Sequence, residues 1–118
     1  ADLLTAVTNK STNGFLLACD GRRVLVDSPH KALNYLLQCS AGIIAKRWMV
    51  IAHEHIQNVH THQLAFVHDE LQYETTAKDA LVLMEILEKS AEFAGKYYNL
   101  RCPIAAEAKT GKNWAEVH

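Results

Sequence analysis

The sequence predicts an α+β fold in which two or three long helices pack on a small, mostly antiparallel sheet built from β-hairpins. Apolar residues recur at helical spacing in two long segments, residues 29–55 and 75–98. Short apolar runs occur in pairs separated by a turn, at residues 14–27 and 63–74, as in β-hairpins. Because 49% of the 118 residues are hydrophobic and no linker interrupts the chain, these elements are expected to form a single domain.

The first elements are a helix end and a hairpin. Residues 2–13 have the pattern of a terminal helical segment, and Gly14 is a suitable stop because glycine adopts the left-handed conformation without strain. The stretch "GFLLACDGRRVLVD" then predicts two strands, with Asp20-Gly21 as the two-residue turn between them.

A long helix is predicted next. Ser28 is a candidate N-cap, and Pro29 suits the first helical turn. The apolar spacing continues into the mid-fifties, although Gly42 lowers the local helix propensity. The leucines near its start are expected to point into the core: Leu33, Leu36 and Leu37.

The second half repeats the alternation of hairpin and helix. Residues 63–74 predict a buried strand, a bend and a second strand. Residues 75–98 predict an amphipathic helix capped by Thr75 or Thr76. Residues 99–111 have a strand-like pattern, and residues 112–118 close the chain.

Composition excludes several classes of protein. The 12 Lys and Arg nearly balance the 13 Asp and Glu, so nucleic-acid binding would have to come from local clusters rather than bulk charge. Cys19, Cys39 and Cys102 form no CxxC pair, which indicates free thiols in a reducing, intracellular compartment. No apolar run approaches the roughly 20 residues of a membrane span.

Two adjacent carboxylates at the second bend are the first candidate site. Asp69 and Glu70 offer the oxygen ligands that hard divalent cations prefer, and a cation would relieve their repulsion. A solvated turn, in which Asp69 accepts from neighbouring amides, is the alternative.

A polar stripe on the predicted long helix is the second candidate site. His30, Asn34 and Gln38 are spaced by four, so successive side chains are turned by only ~40°. Amides can bind the acceptors that every base pair presents in the minor groove. Alternatively, the stripe is a solvated helix face. Arg22 and Arg23, beside the first turn, suit phosphate oxygens but also occur as ordinary solubilising residues.

Three motifs occur in order along the chain: "DGRRVLVDSPHKALNYLLQCSAG", "AFVHDELQ" and "NLRCPIAAEAKTGKNWAEVH". Together they resemble the C-terminal part of family A DNA polymerases, most closely the replicative polymerases of short-tailed phages. The resemblance implies that residues 1–118 are one partial domain of a polymerase palm. It also implies template-directed nucleotidyl transfer to a primer 3′-hydroxyl by a two-metal mechanism with Mg²⁺.

The resemblance assigns roles at the second bend. Asp69 matches the palm aspartate that helps to hold both magnesium ions, and Glu70 matches the auxiliary acid beside it. His68 matches a histidine near the primer terminus. His118 matches the family's terminal histidine, which packs near the active site.

The resemblance also assigns DNA contacts. Asn34 and Gln38 match helix residues that reach the minor groove at the newest base pairs. His30 stands where phage relatives have His and bacterial relatives have Arg. The implied partners are primer-template DNA, a dNTP and the remainder of the polymerase, on the same or a partner chain.

The family's first palm motif, fingers helix, thumb and exonuclease are not found in these 118 residues. We therefore expect the isolated chain to be inactive. Its unmet interface is expected to leave apolar surface exposed and to favour self-association. For a phage-encoded chain, the expected location is the cytoplasm of a bacterial host.

Two other functions stay open. One is a DNA-binding or accessory module that keeps the fold without catalysis. The other is a metal-binding protein that uses the histidines of residues 53–68, among them the "HEH" and "HTH" pairs. Exposed, titrating histidines are the simpler interpretation of that segment.

Overall fold

The computed structural model describes residues 2–118 and confirms the α+β class, with three α-helices and two separate two-stranded antiparallel sheets in this range. One compact unit ends at Ile43, and the other comprises Ile44–His118. None of the helices in the described range has the length and hydropathy needed to cross a membrane. The elements are α1 (Asp2–Lys10), β1 (Phe15–Leu17), β2 (Arg23–Leu25), α2 (Ala32–His55), β3 (Thr61–Val67), β4 (Glu70–Thr75) and α3 (Ala80–Tyr97), with 3₁₀ turns at Ser11–Asn13, Pro29–Lys31 and Trp114–Val117.

The first helix ends as predicted. After α1, the 3₁₀ turn stops at Gly14, whose φ of 87° lies in the left-handed region that favours glycine. The Gly14 amide donates to the carbonyl of Ser11 at 2.9 Å, which satisfies a terminal carbonyl of the turn.

The first hairpin forms as predicted, but its loop has three residues rather than two. The Ala18 amide donates to the Arg22 carbonyl and the Gly21 amide donates to the Ala18 carbonyl, both at 2.9 Å. Gly21 has a φ of 87°. A turn followed by a left-handed glycine is the common three-residue hairpin loop, so Cys19 begins the loop and Asp20 lies at its second position, one later than predicted.

A small apolar cluster holds the first unit together. Its buried members come from α1, the first hairpin and the start of α2: Val7, Leu16, Val26 and Ala32. Leu33 and Leu36 pack against this cluster, as expected. The prediction for Leu37 is wrong, because its side chain is 58% exposed. Successive residues of an α-helix are rotated by ~100°, so Leu37 lies on a different side of α2 from Leu36, beyond the edge of the buried face.

The start of the long helix differs from the prediction. Residues Pro29–Lys31 form a 3₁₀ turn, and α2 proper begins at Ala32. Ser28 makes no side-chain capping bond; its hydroxyl pairs with His30 Nδ1 at 2.8 Å. The predicted end in the mid-fifties is confirmed at His55.

The second hairpin is longer and less buried than predicted. Strands β3 and β4 pair antiparallel, with an irregularity between Gln63 and Ala65. None of their residues is fully buried, and Leu64 is 61% exposed. Burial of this hairpin was therefore a wrong expectation for the described chain, since an apolar strand sequence does not itself supply a covering layer.

Helix α3 begins later than predicted because β4 continues through Thr75. The N-cap position is Asp79 rather than Thr75 or Thr76. Thr76 accepts from the Asp79 amide in the turn that precedes the helix, through its carbonyl at 3.1 Å and its hydroxyl at 3.3 Å. The indole of Trp48 on α2 donates to the Leu87 carbonyl on α3 at 2.8 Å. This bond joins the two helices within the second unit.

The segment after α3 contains no strand, contrary to the prediction for residues 99–111. It packs closely on α3: a Cβ atom at Gly95 would lie 2.7 Å from Ile104 Cγ1. Glycine therefore permits a close approach that holds this irregular segment against the helix.

Candidate metal and nucleic-acid site

A two-residue turn presents the predicted metal ligand. Val67 pairs with Glu70, so His68 and Asp69 alone connect β3 to β4. His68 has a φ of 56°, whereas Asp69 is not among the residues with positive φ. Positive φ at only the first turn position is the pattern of a type II′ turn, whose twist suits a hairpin. Glycine usually occupies that position, so a histidine there costs about 1 kcal/mol of backbone strain.

The Asp69 carboxylate is exposed and open. It makes no hydrogen bond or ion pair with any residue in the described range 2–118. The alternative in which Asp69 accepts from neighbouring amides is therefore not what the structure contains. Both oxygens are available as hard ligands for a divalent cation.

Glu70 lies in strand β4 rather than in the bend, and its carboxylate has a partner. Its Oε2 lies 2.9 Å from His118 Nε2. The hydrogen bond from His118, followed by one from Gln72, lowers the pKa of Glu70. Glu70 is thus held by the far end of the chain, unlike its neighbour Asp69.

His118 is held at both ring nitrogens. Nε2 faces the Glu70 carboxylate, and Nδ1 lies 2.9 Å from the Trp114 carbonyl oxygen. Both neighbours are acceptors, so only the imidazolium can donate to both. The Glu70 hydrogen bond and then the Trp114 carbonyl raise the pKa of His118. The Trp114 ring stacks on the imidazole with centroids 4.3 Å apart.

Hydrogen bonds between side chains and backbone amides stabilise the turn that precedes His118. The Asn113 side chain accepts from the Glu116 amide at 3.1 Å, and the Glu116 carboxylate accepts from the Lys112 amide. A Cβ atom at Gly111 would lie 2.6 Å from Glu116 Cβ, so only glycine permits this close return. Sequence reasoning missed the stacking role of Trp114, although the tryptophan in "NWAEVH" was visible in the third motif.

The polar stripe is confirmed as exposed, but it begins outside the helix. His30 lies in the 3₁₀ turn before α2, where its ring pairs with Ser28. Asn34 and Gln38 lie on α2, and both side chains are exposed. Neither amide has a partner within residues 2–118, so both can donate to and accept from a ligand.

The tandem arginines both make local contacts. Arg22 Nε donates to Asp20 Oδ2 at 2.8 Å. The backbone amide of Arg22, and then its side chain, lower the pKa of Asp20. The Arg23 guanidinium lies 4.6 Å from the centre of the Phe15 ring, as a cation–π contact. A phosphate bound by these arginines would therefore lie next to Asp20 and Phe15, which the two side chains already contact.

The histidine-rich segment does not assemble a metal site. No three His, Cys, Asp or Glu side chains converge within the range 2–118. His62 pairs instead with Glu74 at 3.2 Å, and His55 Nδ1 with the Ile51 carbonyl at 2.8 Å. The zinc-protein alternative therefore has no ligand set in the described chain.

Comparison with known proteins identifies the family. The family model "DNA polymerase family A" matches residues 20–116. The chain belongs to this family. It is 32% identical over 127 aligned positions to the DNA-directed DNA polymerase of Escherichia phage Phieco32, covering all of this chain and 21% of that protein. It is 36% identical over 108 positions to that of Escherichia phage T7, covering 84% of this chain and 15% of that protein.

A solved structure shares the fold. The POL domain of Pol1 from M. smegmatis, in complex with DNA primer-template and dNTP, superposes with a TM-score of 0.76 at 26% identity. The match covers 87% of this chain and 20% of the other. The chain thus spans 15% to 21% of the length of these relatives.

Proposed function

We propose that residues 1–118 form a C-terminal palm segment of a DNA-directed DNA polymerase that extends a primer on a template. The observation that carries this proposal is the open Asp69 carboxylate at the tip of the second hairpin, in a chain of polymerase family A. It is supported by the phage relatives, which are named DNA-directed DNA polymerases.

Asp69 fits a role as a magnesium ligand. Its oxygens are exposed and lack competing partners in the described range, and carboxylate oxygens are the ligands that Mg²⁺ prefers. When bound, a pair of Mg²⁺ ions supplies charge stabilisation to the attacking and leaving oxygens of phosphoryl transfer. One carboxylate does not hold two ions, so the remaining ligands must come from the rest of the polymerase.

Glu70 fits an auxiliary role at the same site. Its carboxylate is engaged by His118, so it supports the turn and adds negative charge beside Asp69. His68 is the strained residue at the first position of the turn, directly before Asp69 in the chain. We place both residues at the reaction centre, with Asp69 as the principal ligand.

Duplex DNA is the proposed partner of the exposed polar stripe. The open amides of Asn34 and Gln38 suit minor-groove acceptors, which all base pairs share. His30 extends the stripe by one turn. Arg22 and Arg23 would contact phosphate, and His118 would lie near the primer. A dNTP and the remainder of the polymerase complete the proposed partners, and the proposed location is the cytoplasm of a phage's bacterial host.

Complementation tests this function. The chain is mixed with the complementary portion of the polymerase from the same genome, and primer extension is measured. The chain alone is expected to be inactive, and the mixture active. Asp69→Asn should remove synthesis, whereas Glu70→Gln should reduce it less.

Asp2→Asn is the matched control, because it removes one exposed carboxylate far along the sequence from the hairpin. Synthesis that survives Asp69→Asn at the native rate would overturn the catalytic assignment. It would leave the chain as a DNA-binding accessory segment.

A further inference from the structure

The first hairpin is apolar on both of its faces. Its strands read "FLL" and "RVL", and the register pairs Phe15 with Leu25, Leu16 with Val24 and Leu17 with Arg23. Because side chains alternate along a strand, Phe15, Leu17 and Leu25 share the face opposite Leu16. We call these three residues the outer face.

The inner face, which carries Leu16, is the covered face of this hairpin. Leu16 is 6% exposed and belongs to the apolar cluster with Val7 and Ala32. On the outer face, Leu17 is 59% exposed and Leu25 is 81% exposed. Near-continuous apolar strands are typical of sheets covered on both sides, whereas a one-sided sheet alternates apolar and polar residues.

The one charged side chain of these strands lies at the loop end of the same face. Arg23 stands opposite Leu17, and its guanidinium covers the Phe15 ring. The aliphatic surface of Leu17 and Leu25 therefore remains for a partner. Most hydrogen bonds from DNA-binding proteins go to the phosphates and sugars of the DNA, and aliphatic side chains cannot form them. DNA is therefore a poor occupant of this part of the face.

We infer that the outer face of the first hairpin docks against the complementary portion of the polymerase, through an apolar surface on that portion. This inference rests on the proposed function. The relatives contain about five times the length of the matched segment, and that additional protein is the available covering layer. Removing two exposed leucines from water supplies the driving force for docking.

A charge substitution on the outer face tests the inference. Leu25→Asp places a carboxylate on a side chain with little cover in the chain alone, so thermal unfolding of the isolated chain should stay unchanged. Binding to the complementary portion, measured by titration calorimetry, should weaken by about 10- to 100-fold, because a buried leucine is lost and a carboxylate is desolvated. Primer extension at saturating chain should recover the native kcat.

Leu81→Asp is the matched control. Leu81 is 78% exposed, but it lies on α3 in the other compact unit. This variant should bind the complementary portion as the native chain does. Equal weakening by both variants would show that added negative charge alone opposes binding, and would overturn the inference.

The remaining outcomes separate this inference from the proposed function. Asp69→Asn should bind the complementary portion normally and fail to extend primers. If Asp69→Asn does extend primers while Leu25→Asp still binds the complementary portion poorly, the catalytic assignment fails and the docking face stands. Native binding by Leu25→Asp overturns the docking face. So does a homodimer in light scattering that Leu25→Asp dissociates and the complementary portion does not displace, since a second copy would then be the occupant.

Discussion

Two glycines inside helices should respond oppositely to the same substitution, Gly→Ala. An added Cβ at Gly42 in α2 would meet nothing within 4 Å, so Gly42→Ala should stabilise the folded chain by about 1 kcal/mol through helix propensity alone. At Gly95 in α3, the new Cβ would lie 2.7 Å from Ile104 Cγ1 and 3.1 Å from Ile104 Cβ. The β-branched side chain of Ile104 has little rotamer freedom with which to move away.

The net sign at Gly95 follows from comparing two energies. The gain in propensity is again about 1 kcal/mol, whereas forcing a methyl group into a packed contact costs about 1–3 kcal/mol. We therefore expect Gly95→Ala to destabilise the chain by about 1 kcal/mol, which separates the two variants by about 2 kcal/mol. At about 4 °C per kcal/mol, their melting temperatures should differ by about 8 °C.

Thermal unfolding followed by circular dichroism measures this difference. Ile104 also anchors the segment that leads to His118, so Gly95→Ala should weaken the His118–Glu70 contact and move the pKa of His118 toward its ordinary value. Equal stabilisation by both substitutions would refute the reasoning, because it would mean that the segment after α3 does not press against Gly95.

Three further predictions concern the second unit. The Tyr73 hydroxyl is buried without a hydrogen-bond partner in the range 2–118, and burial raises its pKa. Urea unfolding of Tyr73→Phe should therefore give an unchanged free energy of unfolding, or one raised by about 1 kcal/mol. A loss of that size would show that the hydroxyl has a partner. His68→Val should lower stability by about 1–2 kcal/mol because a β-branched residue resists the left-handed conformation, whereas His68→Gly should not; equal losses would mean that the φ of 56° is not retained in solution. In metal-free buffer, the His118–Glu70 contact should be complete at pH values between the lowered pKa of Glu70 and the raised pKa of His118. It should weaken as pH rises through the pKa of His118, which lies above 6.5, because the imidazolium is lost. It should also weaken as pH falls through the pKa of Glu70, which lies below 4.5, because the carboxylate is protonated. NMR titration of the His118 ring tests this, and an unchanged His118 pKa in Glu70→Gln would contradict it.

Local sequence determined most of the secondary structure. The stop at Gly14, the turn near Gly21 and the end of α2 near His55 all follow from short-range sterics and periodicity, so they were readable without the fold. The same holds for the exposed stripe of Asn34 and Gln38, which four-residue spacing alone places on one side of a helix.

The errors arose where a local pattern depended on distant packing. The strand-like residues 99–111 found no partner strand, and instead Gly95 accepts this segment directly on α3. The second hairpin looked buried, but apolar alternation says only which face can be covered, and the described chain does not cover it.

The candidate site divides in the same way. The sequence by itself determined that Asp69 lies at a bend, because that depends on two short apolar runs and the residues between them. Only the tertiary structure decided that Asp69 is open while Glu70 is held by His118, a residue 48 positions further along the chain. Contacts over such a distance depend on how the intervening helix and irregular segment pack, and local propensities carry no information about that.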